Sequence, residues 1–168
     1  TINIYNPISI LQQGTVIDVS GKLKAEKHGR VSIKGRWDTL TGKLMADANI
    51  DEFDITKLTP YIEDANNVKI TSGLLNLSSK VKIENGIINA PVDAVVKDLA
   101  VKSGDGILLG ISVPVIISLI EKEGIINLRF NVYGPLNNIQ TDLKEALKKK
   151  VEDSIQKKLE SPIKRLGR

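Results

Sequence analysis

The residues that could carry chemistry are few and lie apart in the sequence. The chain has one histidine, His28, and no cysteine. His28 falls in a predicted turn with no motif around it, so a solvated turn residue is a better interpretation than a catalytic base or a metal ligand. Asp51, Glu52 and Asp54 are close together but lack the spacing of a calcium-binding loop, which indicates a solvated bend.

Two further motifs match chemical signatures without supporting them. Gly104, Gly106 and Gly110 make a weak phosphate-loop candidate, because no Lys-Ser/Thr pair follows them, and a hairpin turn explains them. The glycosylation sequon at Asn76 lies within a predicted strand, so we interpret it as accidental. We therefore predict that the chain is not an enzyme and has no catalytic residue, no metal site and no cofactor.

Length and charge narrow the remaining functions. With 168 residues the chain is long enough for one domain with an apolar core. The formal net charge is +4, and residues 141–168 carry nine Lys or Arg against five Asp or Glu, so the rest of the chain is neutral. A neutral body with a basic tail argues against a broad nucleic-acid interface.

The elements that could position a binding surface are mainly strands. The strongest hairpin signal is Asn85-Gly86, a type I′ turn pair. A two-residue loop there pairs Ile83 with Ile88, and continuing the register brings apolar residues opposite one another down to Leu75 and Val96. Pro91 lacks the N–H that a ladder needs, which predicts a lost bond or a bulge, and a change of parity predicts a second bulge near Asp98.

Upstream, alternating residues predict further antiparallel strands. A three-residue turn at Lys27-His28-Gly29 would pair Leu23 with Ile33 and Val19 with Trp37. Further along, Thr56 is predicted to cap a single helical turn that holds Leu58, Tyr61 and Ile62.

Within the stretch from Ser112 to Gly134 the spacing of apolar residues changes from a helical period to the alternation of a strand. Ser112 and Pro114 mark a helix start, and the following residues are apolar almost all round, which predicts a short buried helix near 113–122. Gly124 is predicted to end it in the left-handed conformation. An alternating strand then follows and ends at Gly134-Pro135, with its apolar side formed by Ile126, Leu128, Phe130 and Val132.

A C-terminal helix is predicted from about Thr141 to Glu160. Thr141 is the N-cap candidate, and Asp142 favours the positive first turn. The apolar residues recur every fourth position, so their line drifts by about 40° per step on a helix of 3.6 residues per turn; they are Leu143, Leu147, Val151, Ile155 and Leu159. The lysines of this helix form either a solvated face or a contact to anionic lipid headgroups.

Several of these features together resemble the C-terminal module of the AsmA-like family, bacterial envelope proteins that include YhdP-like and TamB-like lipid-transport proteins. The chain is similar to that module in its sequence of apolar helix, Gly124 stop and alternating strand. It is also similar in the Leu-x-Pro-Tyr-Ile segment at 58–62 with a strand and Gly73 after it. The tail at 161–167 resembles the pattern S-P-F-x-x-L-G, with Ile163 in place of the ring. The resemblance covers roughly Asp47 to Arg168.

The resemblance implies a mainly β fold, a curved antiparallel sheet that forms an open apolar groove, with the short buried helix and the C-terminal amphipathic helix. The groove domain would span 1–140, and the helix and basic tail 141–168. The low aromatic content, 4% of residues, also favours an open groove over a closed core. The alternative is a structural or assembly scaffold of the cell envelope, with a closed β core and no lipid ligand.

The function that the resemblance implies is shielding of acyl chains and movement of phospholipid between inner and outer membranes, in the periplasm or cell envelope. The expected partners are phospholipid, the membrane surface and an outer-membrane assembly protein, without nucleic acid. Any membrane anchor would lie outside this sequence. The predicted lipid-binding residues are Leu75, Leu77, Val81, Ile83, Val92, Ala94, Ile126, Leu128, Phe130 and Val132, and the predicted membrane-contact residues are Lys148, Lys149, Lys150, Lys157 and Lys158.

Overall fold

Antiparallel strands make up most of the described chain. The structure is a computed structural model that describes residues 2–5, 15–23, 29–38, 40–58, 69–102, 107–108, 111–112, 115 and 124–160. The strands are β1 Ile2–Tyr5, β2 Thr15–Leu23, β3 Gly29–Asp38, β4 Lys43–Asp54, β5 Lys69–Glu84, β6 Ile87–Lys102, β7 Ile107–Leu108, β8 Ile111–Ser112, β9 Ile125–Pro135 and β10 Gln140–Thr141. Among the described residues, one α-helix is longer than a single residue: α1, Leu143–Glu160.

Eight of these strands form one antiparallel sheet in the order β1-β2-β3-β4-β5-β6-β9-β10, and β7 pairs with β8 separately. Six of the eight are long, from 9 to 16 residues. The described part of the sheet is open, because β1 pairs only with β2 and β10 only with β9. The predicted mainly β fold with an antiparallel sheet and a C-terminal helix is confirmed.

The β5–β6 hairpin has the register that the sequence predicts. Asn85 and Gly86 have φ of 52° and 73°, as a type I′ turn requires. Ile83 lies opposite Ile88, and the pairing passes from Ser79–Val92 to Lys82–Asn89 without a shift in register. Pro91 therefore interrupts the pairing with β5 but adds no bulge, because its missing N–H removes a bond without changing the residue count.

The predicted pairing of β2 with β3 is wrong by four positions. Leu23 lies opposite Gly29, and Val19 opposite Ile33, where the sequence had suggested Ile33 and Trp37. Gly29, predicted to be a turn residue, is the first residue of β3. A shift by an even number keeps every side chain on its predicted face, because side chains alternate with period two.

Two bulges in β4 and β6 are each stabilised by a polar side chain. In β4, Glu52 has φ of 51° and donates its backbone N–H to Asn76 Oδ1 at 2.9 Å. In β6, Asp98 also has φ of 51°, and its carbonyl accepts from Ser72 Oγ at 2.7 Å. The predicted bulge near Asp98 is confirmed, and the one at Glu52 was not expected from the sequence.

A 3-10 turn, Ile55–Leu58, follows β4. Its cap is Asp54, whose Oδ1 accepts from Thr56 N at 3.0 Å and Thr56 Oγ1 at 2.7 Å, so the prediction of Thr56 as the cap is wrong. Buried Ile55 packs over Gly73, where a Cβ would lie 2.5 Å from Ile55 Cδ1. The glycine thus makes room for the turn to pack on β5.

The predicted buried helix near 113–122 lies outside the described residues except Val115, which is helical and half-buried. Gly124 has the left-handed conformation predicted for it, with φ of 63°, but the helix that it was predicted to end lies, apart from Val115, outside the described residues. Tyr61 and Ile62, predicted to belong to the turn after β4, also lie outside the described residues.

Candidate functional site

One face of the sheet is apolar across all its long strands, and we call it the apolar face. The cross-strand register puts all ten predicted lipid-binding residues on this face, through rows such as Leu77–Ala94–Leu128. The face continues into β3 and β4, whose apolar residues align with those of β5; they are Val31, Ile33, Leu44, Ala46, Ala48, Ile50 and Phe53. Alternation in the sequence carried this signal, but the predicted site stopped at β5.

Burial divides the apolar face into two parts. Along the middle of β6 and at the start of β9 it is covered: Ala90, Val92, Ala94 and Ile126 are 4 to 6% exposed, whereas Leu128, Phe130 and Val132 of β9 are half-buried. Across β3, β4 and most of β5 the apolar-face residues are half-buried, and Trp37 at the end of β3 is 43% exposed. The predicted lipid-binding residues therefore fall into a covered group and a partly exposed group.

Helix α1 packs against the sheet on the β9 side. It contacts β9, whose buried side is the apolar face and whose other side is exposed. Leu147, Val151 and Ser154 of α1 are 5, 7 and 8% exposed. Ile155, predicted to belong to this stripe, is 49% exposed, so that part of the prediction is wrong. The spacing of four then three residues follows the true helical period, whereas a strict spacing of four rotates away from the sheet.

The start of α1 is fixed to β9 by hydrogen bonds. Thr141 Oγ1 accepts from Leu143 N at 3.2 Å, which confirms Thr141 as a capping residue. The Asp142 carboxylate accepts from both the backbone N–H and the side-chain amide of Asn131, at 2.5 and 2.9 Å. These donors, the backbone N–H first, hold the pKa of Asp142 below its ordinary value. The sequence had suggested a dipole role for Asp142, and the structure adds this tie to the sheet.

Strands β3 and β4 approach each other closely at Gly35. A Cβ built there would lie 2.6 Å from Ala46 Cβ and 2.5 Å from the carbonyl oxygen of Met45. Residues directly opposite one another normally have Cβ atoms about 4.5 to 5.5 Å apart. The two strands are therefore tilted together on the apolar side at this point, which requires glycine.

Ser79 is a polar residue within the apolar face. It is 8% exposed, and its Oγ has no hydrogen-bond partner among the described residues. Its neighbours across the strands are Ala48 and Val92. A buried hydroxyl without a partner costs about 1 to 3 kcal/mol. Sequence reasoning did not select Ser79, because a single serine in an alternating strand gives no signal.

The opposite face is polar and carries ion pairs across the strands. Arg129 Nε of β9 lies 2.6 Å from Asp93 Oδ1 of β6, and Lys43 Nζ of β4 lies 3.6 Å from Glu84 Oε1 of β5. Within β5, Lys82 Nζ lies 2.6 Å from Glu84 Oε2. Hydrogen bonding to Lys82, with the charge of Lys43, lowers the pKa of Glu84. A depression of about 450 Å³ between β4 and β6 is lined by charged and polar side chains and Pro91. This pattern is typical of a face turned to water.

The predicted membrane-contact lysines all lie in α1. Lys148 and Lys149 are exposed, and Lys150 is half-buried. Lys148 Nζ is 3.9 Å from Glu152 Oε1, a surface pair of small energetic weight. The part of the chain that the structure describes contains no group of three metal-ligating side chains, and none of its helices is long and apolar enough to span a membrane. His28 and the glycines at 104, 106 and 110 lie outside the described residues.

Comparison with protein-family models, with curated proteins and with solved structures finds no significant match.

Proposed function

We propose that this chain is the lipid-binding segment of an AsmA-like envelope protein and that acyl chains lie against its apolar face. The observation that carries the proposal is the extent of that face, which runs across six long strands while α1 contacts the β9 side. Residues over β3, β4 and β5 are left half-exposed. A lipid would remove that apolar surface from water.

The dimensions of the face fit an acyl chain. Six strands spaced about 4.8 Å apart make a surface about 24 Å wide. One leaflet of a bilayer core is about 15 Å thick, so an extended chain fits across the strands. The tilt of the strands at Gly35 supports a concave shape on this side. Movement of phospholipid along such a face needs no covalent step, and the polar face would remain in the aqueous periplasm.

The proposal includes a contact between α1 and anionic headgroups through its lysines. Reversal of the exposed Lys148 and Lys149 to glutamate should weaken binding to phosphatidylglycerol vesicles at low salt, because each cation near the surface contributes about 1 kcal/mol. The difference should fade as salt screens the charges. Unchanged vesicle binding at low salt would contradict this contact. An outer-membrane assembly protein is the further partner that the family resemblance suggests.

One observation favours the alternative function, an envelope scaffold without lipid. Val92, Ala94 and Ile126, which belong to the predicted lipid site, are as buried as ordinary core residues. If the rest of the apolar face is covered in the same way, the domain has a closed core and no ligand.

A pair of carboxylate substitutions separates the two functions. Leu77 and Leu128 are both half-buried on the apolar face. In a closed core, Leu77→Asp or Leu128→Asp strands an unpaired charge, which costs several kcal/mol and should abolish the melting transition. In an open groove the carboxylate reaches water, so the protein should stay folded while a fluorescent fatty acid binds less.

The matched control is Ser78→Asp, an exposed neighbour on the polar face, which should change neither property. Mass spectrometry of lipid that co-purifies with the wild-type chain is the direct test. Folded wild-type protein that carries no lipid and binds no fatty acid would contradict the proposed function.

A further inference from the structure

Three hairpin turns at the same end of the sheet carry exposed aliphatic side chains. We call this the turn end; it holds the β3–β4, β5–β6 and β9–β10 turns. Leu40 is 71% exposed, Ile87 54%, Leu136 50% and Ile139 52%. Turn positions normally favour glycine, proline and small polar residues, so bulky aliphatic residues in or directly beside all three turns call for an explanation. Ile87 is the first residue after its turn.

These turns are ordered by their own hydrogen bonds. Leu136 N donates to the Gly86 carbonyl at 2.9 Å, which ties the β9–β10 turn to the β5–β6 turn. Asp38 accepts from Leu40 N at 3.0 Å and from Thr41 Oγ1 at 2.6 Å, which closes the β3–β4 turn. The exposed aliphatic residues therefore lie along one row of ordered turns rather than on loose loops.

Two aromatic residues lie just behind this row. Trp37, the one tryptophan of the chain, and Tyr133 are 43% and 41% exposed. By register they are one and two residues inside the level of Ile87, or about 3 to 7 Å along the strands. Where proteins enter a membrane interface, aliphatic residues lie outermost and Trp and Tyr lie behind them, and the turn end has this order.

The charges at the turn end are compatible with contact to lipid. Glu84 is paired with Lys82 at 2.6 Å and Lys43 at 3.6 Å, and Asp38 is satisfied by the donors of its own turn. Arg36 adds one further exposed cation. The local balance is close to neutral, so repulsion from headgroups is small and apolar contact would dominate binding.

We propose that Leu40, Ile87, Leu136 and Ile139 insert into the interfacial layer of a lipid bilayer and dock this end of the sheet on a membrane surface. The turns are two strands apart, about 10 Å, with backbone and polar side chains between them. A protein partner would need a continuous patch of several hundred Å², whereas separate apolar points suit a fluid interface. This proposal does not depend on lipid binding to the apolar face.

The test is co-sedimentation of the full chain with phosphatidylcholine vesicles, at low and at high salt. We expect the wild-type protein to bind at both salt concentrations, with a blue shift of Trp37 fluorescence. The triple variant Leu40→Asn, Ile87→Asn, Leu136→Asn should bind at least tenfold more weakly, because each side chain loses its apolar transfer. All three positions are exposed, so the variant should fold.

Ile125→Asn is the matched control, since Ile125 is 41% exposed at the other end of the sheet, and it should bind vesicles like wild type. Fatty-acid binding by the triple variant should be unchanged, which separates docking from the proposed groove. The inference is overturned if the wild type does not bind phosphatidylcholine vesicles or if the triple variant binds them equally well. Binding that needs anionic lipid and is lost in salt would also overturn it, as would lipid-free self-association that the triple variant abolishes.

Discussion

The attachment of α1 to the sheet rests on a narrow stripe, which makes its energetics testable. Leu147 and Val151 are 5% and 7% exposed. Leu147→Ala removes three buried carbons, about 2.4 kcal/mol at ~0.8 kcal/mol each, and leaves a cavity, so we expect a loss of about 2 to 5 kcal/mol. Val151→Ala removes two carbons and about 1.6 kcal/mol before any cavity cost.

Ile155→Ala is the matched control on the same helix. Ile155 is 49% exposed, so the substitution loses roughly half of the transfer free energy of three carbons, about 1.2 kcal/mol. Water fills the space that the side chain leaves, and alanine raises helix propensity by a few tenths of a kcal/mol. The expected net loss is about 0.5 to 1 kcal/mol, at most half of that for Leu147→Ala.

The assay is urea unfolding followed by far-ultraviolet circular dichroism, which reports the helix. An isolated helix of 18 residues is marginal in water, so a weakened stripe should release α1 at lower urea than the sheet. Equal losses for Leu147→Ala and Ile155→Ala would refute the reasoning. They would mean that α1 packs by the spacing of four residues and presents a different face to β9.

Three further predictions concern backbone geometry and pH. Gly35→Ala should lower the free energy of unfolding by about 1 to 3 kcal/mol, because its Cβ would meet backbone atoms at 2.5 Å, and denaturant titration measures this. Gly73→Ala should also destabilise, but Ile55→Val should recover part of the loss by making room, which a double-mutant cycle detects. Because the pKa of Asp142 is lowered in the folded state, its stabilisation is present above about pH 4 and is lost as pH falls through the folded pKa. Asp142→Asn should remove that acid-dependent part of the urea midpoint, while Asn131→Ala should reduce it.

The sequence predicts the β5–β6 hairpin well because two independent signals agree there. Asn85-Gly86 demands positive φ at both turn residues, and the apolar alternation then allows only one register. For the pairing of β2 with β3 the sequence offered only one signal, the alternation of apolar residues. Alternation fixes which face a side chain occupies, but a shift by four residues preserves it, so Val19 could be assigned opposite Trp37 as readily as Ile33.

The candidate site shows the same division between local and long-range information. The ten predicted residues share one face because period two decides that locally. Their burial differs along the face, since Val92 and Ile126 are buried while the residues of β4 are half-buried, and no local pattern carries that difference. The hydroxyl of Ser79 and the tie between Asp142 and Asn131 also depend on residues distant in sequence.

The coverage of the apolar face is the link between fold and function. A helix with its side chains is about 10 Å wide, enough to cover about two strands of a sheet about 24 Å wide. Helix α1 contacts β9, and the buried aliphatic residues Ala90, Val92, Ala94 and Ile126 lie on β6 and β9. Half-buried aliphatic residues continue the apolar face over three further strands, and contiguous exposed apolar patches commonly mark a binding surface. The turn end lies at the border of this surface and carries exposed aliphatic residues with Trp37 beside them. A lipid bound to the apolar face and a bilayer in contact with the turn end would remove both apolar surfaces from water, and both are made of lipid. The Leu77→Asp variant tests the first contact and the turn-end triple variant tests the second.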